Sequence, residues 1–368
     1  MNKIYVGIGV LAVVVLGIFL VNNKSDKPQQ AEVKKPAVTI MGAGSTFAAP
    51  LYSQLGSEIK KSDNVTINYQ PVGSGAGITQ FIANTVSFGG TDVALKDTEV
   101  EQARAHGEPL NLPVAFGAIT ISYNLPGVKS GLKLDGLTIA NIYLGNITNW
   151  SDDAIKSLNP SVNLPDLAIT PVYRSDSSGT TSQFTSYLKG QSADWAEQIG
   201  SDKTVKWPTG TGSKGNDGVA ATTSQTEGAI GYVELAYALQ NKFTVASVKN
   251  KDGQFVSPSL DSTSKAGENI PNLPSDLRFN SIDSPSKGAY PIASPTFIVA
   301  YADPCSAGSV KNAEQAAGLQ TWLSFILGSG QESMKKLEYA PLSKSLLTKA
   351  QDKVAAMTCN GKAISPKS

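Results

Sequence analysis

Four clusters of glycine, serine and threonine carry most of the chemistry this sequence can offer. They are Gly42-Ala43-Gly44-Ser45-Thr46-Phe47, Gly73-Ser74-Gly75-Ala76-Gly77, Gly89-Gly90-Thr91-Asp92 and Arg174-Ser175-Asp176-Ser177-Ser178-Gly179-Thr180-Thr181. They stand at junctions where a strand is expected to turn into a helix. The first turn of a helix exposes unpaired N–H groups and about half a positive charge, so several helix starts brought together would hold an anion. Glycine lets the backbone approach a ligand, and hydroxyls add donors. Each cluster alone is better explained as an N-cap or tight turn; their recurrence at the same kind of junction favours the anion site. Arg174 adds to it, because only Arg104, Arg174 and Arg278 are arginines and one of them opens the last cluster. A guanidinium grips a tetrahedral oxyanion through paired hydrogen bonds, and Asp176, two residues on, could orient it. A surface salt bridge is the competing reading of that pair.

Other chemistry is poorly provided for. The 368 residues hold one histidine, His106, and two cysteines, Cys305 and Cys359. That argues against His/Cys metal clusters and His-based triads, and no metal or cofactor is expected. No G-x-S-x-G elbow or G-x-x-x-x-G-K-[ST] loop occurs, so an enzyme is not expected. His106 falls where a helix should end, which suits a capping role. With 31 basic and 30 acidic residues the formal charge is +1, leaving no basic field for nucleic acid.

The elements that must position the clusters follow from periodicity. Strands are expected over 38–41, 65–69, 115–123, 169–173, 229–233 and 292–301, and helices over 48–61, 77–84, 97–106, 137–143, 180–188, 313–327 and 342–357. This is the pattern of an α/β fold, and the length suggests about two domains. Residues 250–287, rich in Ser, Asp, Asn, Pro and Gly, read as loop.

The first residues concern address. After Lys3, positions 4–21 run for 18 residues without a charge and are followed by a polar stretch containing Lys, Pro and Gln. This is a signal or anchor over 1–21 with a tether over 22–37; an uncleaved anchor is favoured over a cleaved signal, since no small-x-small site follows. The lysines after the apolar run would by themselves place that flank in the cytoplasm. In an exported chain Cys305 and Cys359, without C-x-x-C spacing, read as a disulfide, two buried thiols being the alternative.

Gly42 to Phe47, Gly73 to Gly77 and Arg174-x-Asp176-x-Ser178-Gly179-Thr180 together resemble the phosphate-binding proteins of bacterial ABC-type phosphate importers. Asn141-Ile142-Tyr143-Leu144-Gly145 with Trp150, Lys206-Trp207-Pro208, Lys214-Gly215-Asn216-Asp217-Gly218 and Gly228-Ala229-Ile230-Gly231-Tyr232-Val233-Glu234 extend the likeness over most of the chain from residue 38. The resemblance implies a two-lobed periplasmic-binding-protein fold of class II, with lobe I from 38–115 plus 295–368, lobe II from 116–294, and two crossings near 114–119 and 291–296. It implies inorganic phosphate as ligand, contacted by Thr46, Phe47, Ser74, Asp92, Arg174, Ser178, Gly179 and Thr180, with Asp176 holding Arg174. Asp92 would favour phosphate, which keeps a proton near neutral pH, over sulfate, which has none. The implied partners are the membrane subunits of the importer, and a monomer outside the cytoplasmic membrane is expected. The departures are an N-terminus without a lipid-accepting cysteine or clear cleavage site, and the cysteine pair. Another tetrahedral oxyanion, a phosphate-ester hydrolase, or a scaffold that kept only the fold are the rival functions.

Overall fold

The computed structural model describes residues 37–268 and 270–364; the expected signal or anchor, and the expected tether up to residue 36, lie outside the described residues. Among the described residues no helix is long and apolar enough to cross a membrane.

The strands, in chain order, are β1 (Val38–Gly44), β2 (Val65–Pro71), β3 (Phe88–Thr91), β4 (Pro109–Tyr123), β5 (Lys133–Leu134), β6 (Thr170–Arg174), β7 (Thr211–Ser213), β8 (Ala229–Glu234), β9 (Thr244–Val245), β10 (Ser247–Lys249), β11 (Phe255–Val256), β12 (Ala293–Tyr301), β13 (Thr358–Cys359) and β14 (Lys362–Ala363). The main sheet has the order β2-β1-β3-β12-β4-β8-β6-β7, with β9 also paired to β4. At its two ends the pairs are parallel, β1 with β2 and β3, and β6 with β7 and β8. In the middle β12 is antiparallel to β3 and β4, and β4 to β8.

β4 is the joint of this sheet. Residues up to Ala118 pair with β12, and from Ile119 onward the strand pairs with β8. All its residues are buried, although Leu110, Leu112, Val114 and Phe116 alternate with Pro109, Asn111, Pro113 and Ala115 as they would on a half-exposed strand. The strand starts earlier than its periodicity suggests, because Pro109, Asn111 and Pro113 break the apolar run. Pro113 is accommodated opposite Phe297, where the β12 register shifts.

The helices follow local rules. Ala49–Asp63 carries Pro50 in its first turn, Lys60 and Lys61 in its last, and a left-handed Asn64 as cap. Its buried Leu51, Tyr52, Leu55 and Ile59 lie on one face. The helix after β2 spans Ser74–Ile82, three residues earlier than its expected start: the Gly-Ser-Gly cluster is the first helical turn and not a loop before it. Leu260–Glu268 lies in the stretch read as loop. Its buried face is Ser262, Thr263, Ala266 and Gly267, so no large apolar period marks it; a side chain at Gly267 would run into the Phe116 ring. Ser262 and Thr263 hydroxyls donate to the Ser259 carbonyl, which makes their burial tolerable. Cys305 and Cys359 are joined in a disulfide, as expected.

Candidate functional site

β1 and β3 approach so closely that a side chain at Gly44 would overlap the Gly90 backbone, and the Ser45 N–H donates to the Gly90 carbonyl at 2.9 Å. This contact brings the turn after β1 beside Asp92, the residue after β3. The Ser45 hydroxyl lies 2.7 and 2.6 Å from the two Asp92 carboxylate oxygens. Thr296, in the apolar run of β12, reaches Oδ1 at 2.9 Å, and Ser74, opening the helix after β2, reaches Oδ2 at 3.3 Å. Asp92 is 1% exposed. Burial pushes its carboxyl up to about 6, against the Ser45 and Thr296 hydrogen bonds, the Arg174 charge and the Ser74 hydrogen bond, which favour ionisation.

Arg174 ends β6 and is buried. Its Nε and Nη2 donate to Asp176 at 2.7 and 2.5 Å, and its Nη1 donates to Thr180 Oγ1 at 3.3 Å. Asp176 also accepts the Gly215 N–H at 3.0 Å. Burial works against the Asp176 charge, but the guanidinium and that N–H outweigh it and hold the carboxyl below its usual range. The arginine is therefore fixed in place by a charge of its own, with donors to spare for a second anion.

The helix Gly179–Gln191 starts beside it, capped by the Ser178 hydroxyl, which accepts the Thr181 N–H at 3.1 Å. Only glycine fits at its first position: a Cβ on Gly179 would lie 2.5 Å from Ser74 Oγ and 2.7 Å from Asp92 Oδ2. The N–H groups of Thr46, Phe47, Gly179 and Thr180 have no acceptor among the described residues. Two helix starts, a braced guanidinium and a buried carboxyl thus share one small volume, a donor-rich environment for an oxyanion with one acceptor in it.

Residues 29–329 match a family model described as the PBP superfamily domain. The chain is 38% identical over 325 residues to the phosphate-binding protein PstS of Xylella fastidiosa (strain Temecula1), covering 88% of this chain and 86% of that protein. It is 39% identical over 336 residues to the phosphate-binding protein PstS of Pasteurella multocida, covering 89% and 94%. This chain belongs to the PstS family. Among solved structures it resembles a phosphate-binding protein from Stenotrophomonas maltophilia, with a TM-score of 0.67 at 22% identity over 86% of this chain and 94% of that one, which supports the two-lobed α/β periplasmic-binding-protein fold.

In this PstS-family chain the structure gathers Thr46, Phe47, Ser74, Asp92, Arg174, Ser178, Gly179 and Thr180 about one point, with Asp176 behind Arg174. Three neighbours of that set were not singled out from the sequence. Ser45 stands in a cluster already noted and could have been found there. Thr296 lies 204 residues from Asp92 inside an apolar strand, and no local signal marks it. Asn216 belongs to the Lys214 to Gly218 motif but carries no charge or glycine to draw attention. A fourth polar residue, Glu234, is fully buried below the site; its Oε2 accepts from the Ala236 N–H and the Tyr339 hydroxyl, and burial pushes its carboxyl well up. His106 lies past the end of the helix Asp97–Arg104, its N–H donating to the Ala103 carbonyl and its ring set edge-on to Tyr301.

Proposed function

We propose that this protein captures inorganic phosphate between two lobes outside the cytoplasmic membrane and hands it, unaltered, to the membrane subunits of an ABC-type importer. The observation that carries the reading is the pairing of a buried Arg174, braced by Asp176, with a buried Asp92 at the junction of two helix starts. The guanidinium and the free N–H groups attract an oxyanion, and Asp92 selects among oxyanions. Each hydroxyl that turns from Asp92 toward the ligand frees a position on the carboxylate, which a proton of phosphate can fill. Sulfate has no proton to offer and leaves an unpaired, like-charged acceptor.

The lobes of this reading are 38–115 with 295–368, and 116–294, and the change of partner along β4 at Ala118 and Ile119 suits the first crossing. The near-zero net charge favours no polyanionic partner, and the protein acts as a monomer held or exported by residues 1–21. Titration calorimetry of the full chain tests the reading. Phosphate should bind and sulfate should bind far more weakly, while Arg174→Ala should lose about 2 to 3 kcal/mol of phosphate affinity, as expected for a charged hydrogen-bonding partner. Equal affinity for the two anions, or an Arg174→Ala variant that binds phosphate as before, would overturn it.

A further inference from the structure

Asn216, in the first turn of the helix Gly215–Gln225, is fully buried and uses its whole amide. Its Oδ1 accepts the Glu234 N–H at 2.9 Å. A backbone N–H cannot accept, so this contact fixes which end of the amide is oxygen and turns Nδ2 the other way. Nδ2 donates to Thr46 Oγ1 at 2.9 Å and to Thr180 Oγ1 at 3.2 Å, and the Asn216 N–H also donates to Thr46 Oγ1, at 3.1 Å. Thr180 Oγ1 accepts a second bond from Arg174 Nη1 at 3.3 Å.

A hydroxyl oxygen has two lone pairs and one hydrogen. Both lone pairs of Thr46 Oγ1 are taken by Asn216, and both of Thr180 Oγ1 by Asn216 and Arg174. Neither hydroxyl hydrogen has an acceptor among the described residues. We propose that Asn216 is a positioning and specificity residue that forces the Thr46 and Thr180 hydroxyls to act as donors only. The inference rests on the phosphate-binding reading of this site and adds a sorting rule to it. An oxygen held by the two threonines cannot donate a hydrogen bond back to them, so a proton on phosphate is directed to Asp92. Serine or threonine hydroxyls without such a partner could rotate and accept a hydrogen bond from a protonated oxygen of the ligand, and the sorting would be lost.

The experiment is phosphate titration calorimetry on the full chain, with the thermal midpoint of each unliganded variant followed in parallel. Asn216→Ala should weaken phosphate binding about tenfold to hundredfold, the scale of a lost buried partner. In a background of Thr46→Val with Thr180→Val, the added Asn216→Ala should cost less than about threefold, because the hydroxyls it acts through are gone. A purely structural role predicts the same loss in both backgrounds, and that result would overturn the proposal. Should Asn216→Ala fail to fold, Thr46→Ser and Thr46→Val decide instead. The serine variant should keep affinity within about threefold and the valine variant should lose about tenfold; equal weakening in both overturns it. Phosphate binding that persists unchanged in Asn216→Ala would remove this inference alone, whereas an unsubstituted chain that does not bind phosphate would remove the functional reading together with it.

Discussion

Asp92 in the site and Asp303 near the C-terminus are both well supplied with hydrogen bonds, yet the donors differ in kind. Around Asp92 they are the hydroxyls of Ser45, Ser74 and Thr296, which can rotate. Around Asp303 they are chiefly backbone: the Ser306 N–H at 2.8 Å, Asn360 N–H at 3.0 Å and Gly361 N–H at 2.8 Å, joined by the Thr358 hydroxyl at 2.8 Å. Asn360 and Gly361, with φ of 52° and 72°, turn β13 back into β14 so that their N–H groups face the carboxylate. Burial opposes the Asp303 charge, but these donors together outweigh it and hold its carboxyl far below the usual range. At Asp92 burial wins instead. A shell of fixed N–H groups can serve one permanent acceptor and makes a staple. A shell of rotatable hydroxyls can be re-addressed to a visitor, which a binding site requires.

The largest expected effect tests whether the C-terminal staple is independent of the site. Replacing Cys305 and Cys359 by serine opens a loop of sequence separation 54 and should lower stability in denaturant unfolding by about 4 kcal/mol at most. Phosphate affinity should not change. A large affinity loss in that variant would mean the two regions are coupled and the comparison is misdrawn.

Asp303→Asn comes next. The amide would set an NH₂ group, or at best a neutral oxygen, against N–H groups that cannot turn away, and stability near pH 7 should fall by about 3 kcal/mol. The sign with pH follows from the lowered carboxyl. The stabilisation is fully present above the unfolded value of about 4 and fades as pH falls toward the folded one. In the variant this acid-range loss should disappear from the unfolding profile.

The same substitution at Asp92 should do the opposite. Its hydroxyl partners can rotate to accept from an amide, and the variant escapes the cost of a buried charge. Between about pH 4 and 6 the folded state holds a proton on Asp92 that the unfolded state has released, so stability falls as pH rises through that window. Asp92→Asn should remove the fall and gain about 3 kcal/mol at pH 7.5, two pKa units at about 1.4 kcal/mol each. A loss of stability as large as that of Asp303→Asn would show that the hydroxyl shell is as rigid as the N–H shell.

The contrast also bears on what a sequence can disclose. Arg174, Asp176 and the Ser178-Gly179-Thr180 start are local: each lies within one strand-to-helix junction, and the spacing alone brings them together. The same is true of Gly44 and Thr46. Thr296 and Asn216 become neighbours of the site only because β12 is inserted between β3 and β4 and because β8 returns beside β6, and pairing across such distances leaves no periodic trace. The helix Leu260–Glu268 escaped for another reason, since a buried face of Ser, Thr, Ala and Gly has no hydrophobic period to read. Glu234 stands in a readable motif, but the burial that pushes its carboxyl up, and the Tyr339 hydroxyl that partners it from the far end of the chain, leave no local trace.

The smallest effect is the sharpest test of a re-addressable carboxyl. Asp92 repels sulfate only while it is ionised; once protonated it becomes a hydrogen-bond donor and sulfate gains a partner. With its carboxyl near 6, sulfate affinity should rise about tenfold per unit as pH falls from 7.5 toward 6, then flatten below it, because binding then draws on a form already present. Phosphate should lose its advantage over the same range, having a proton to offer at either end. Asp92→Asn should show high and pH-independent sulfate affinity, since an amide donates at every pH. Calorimetry in both anions from pH 5 to 7.5 distinguishes the cases: a flat sulfate profile in the unsubstituted protein would mean that Asp92 keeps its hydroxyl partners when an anion enters, and that the site is a staple after all.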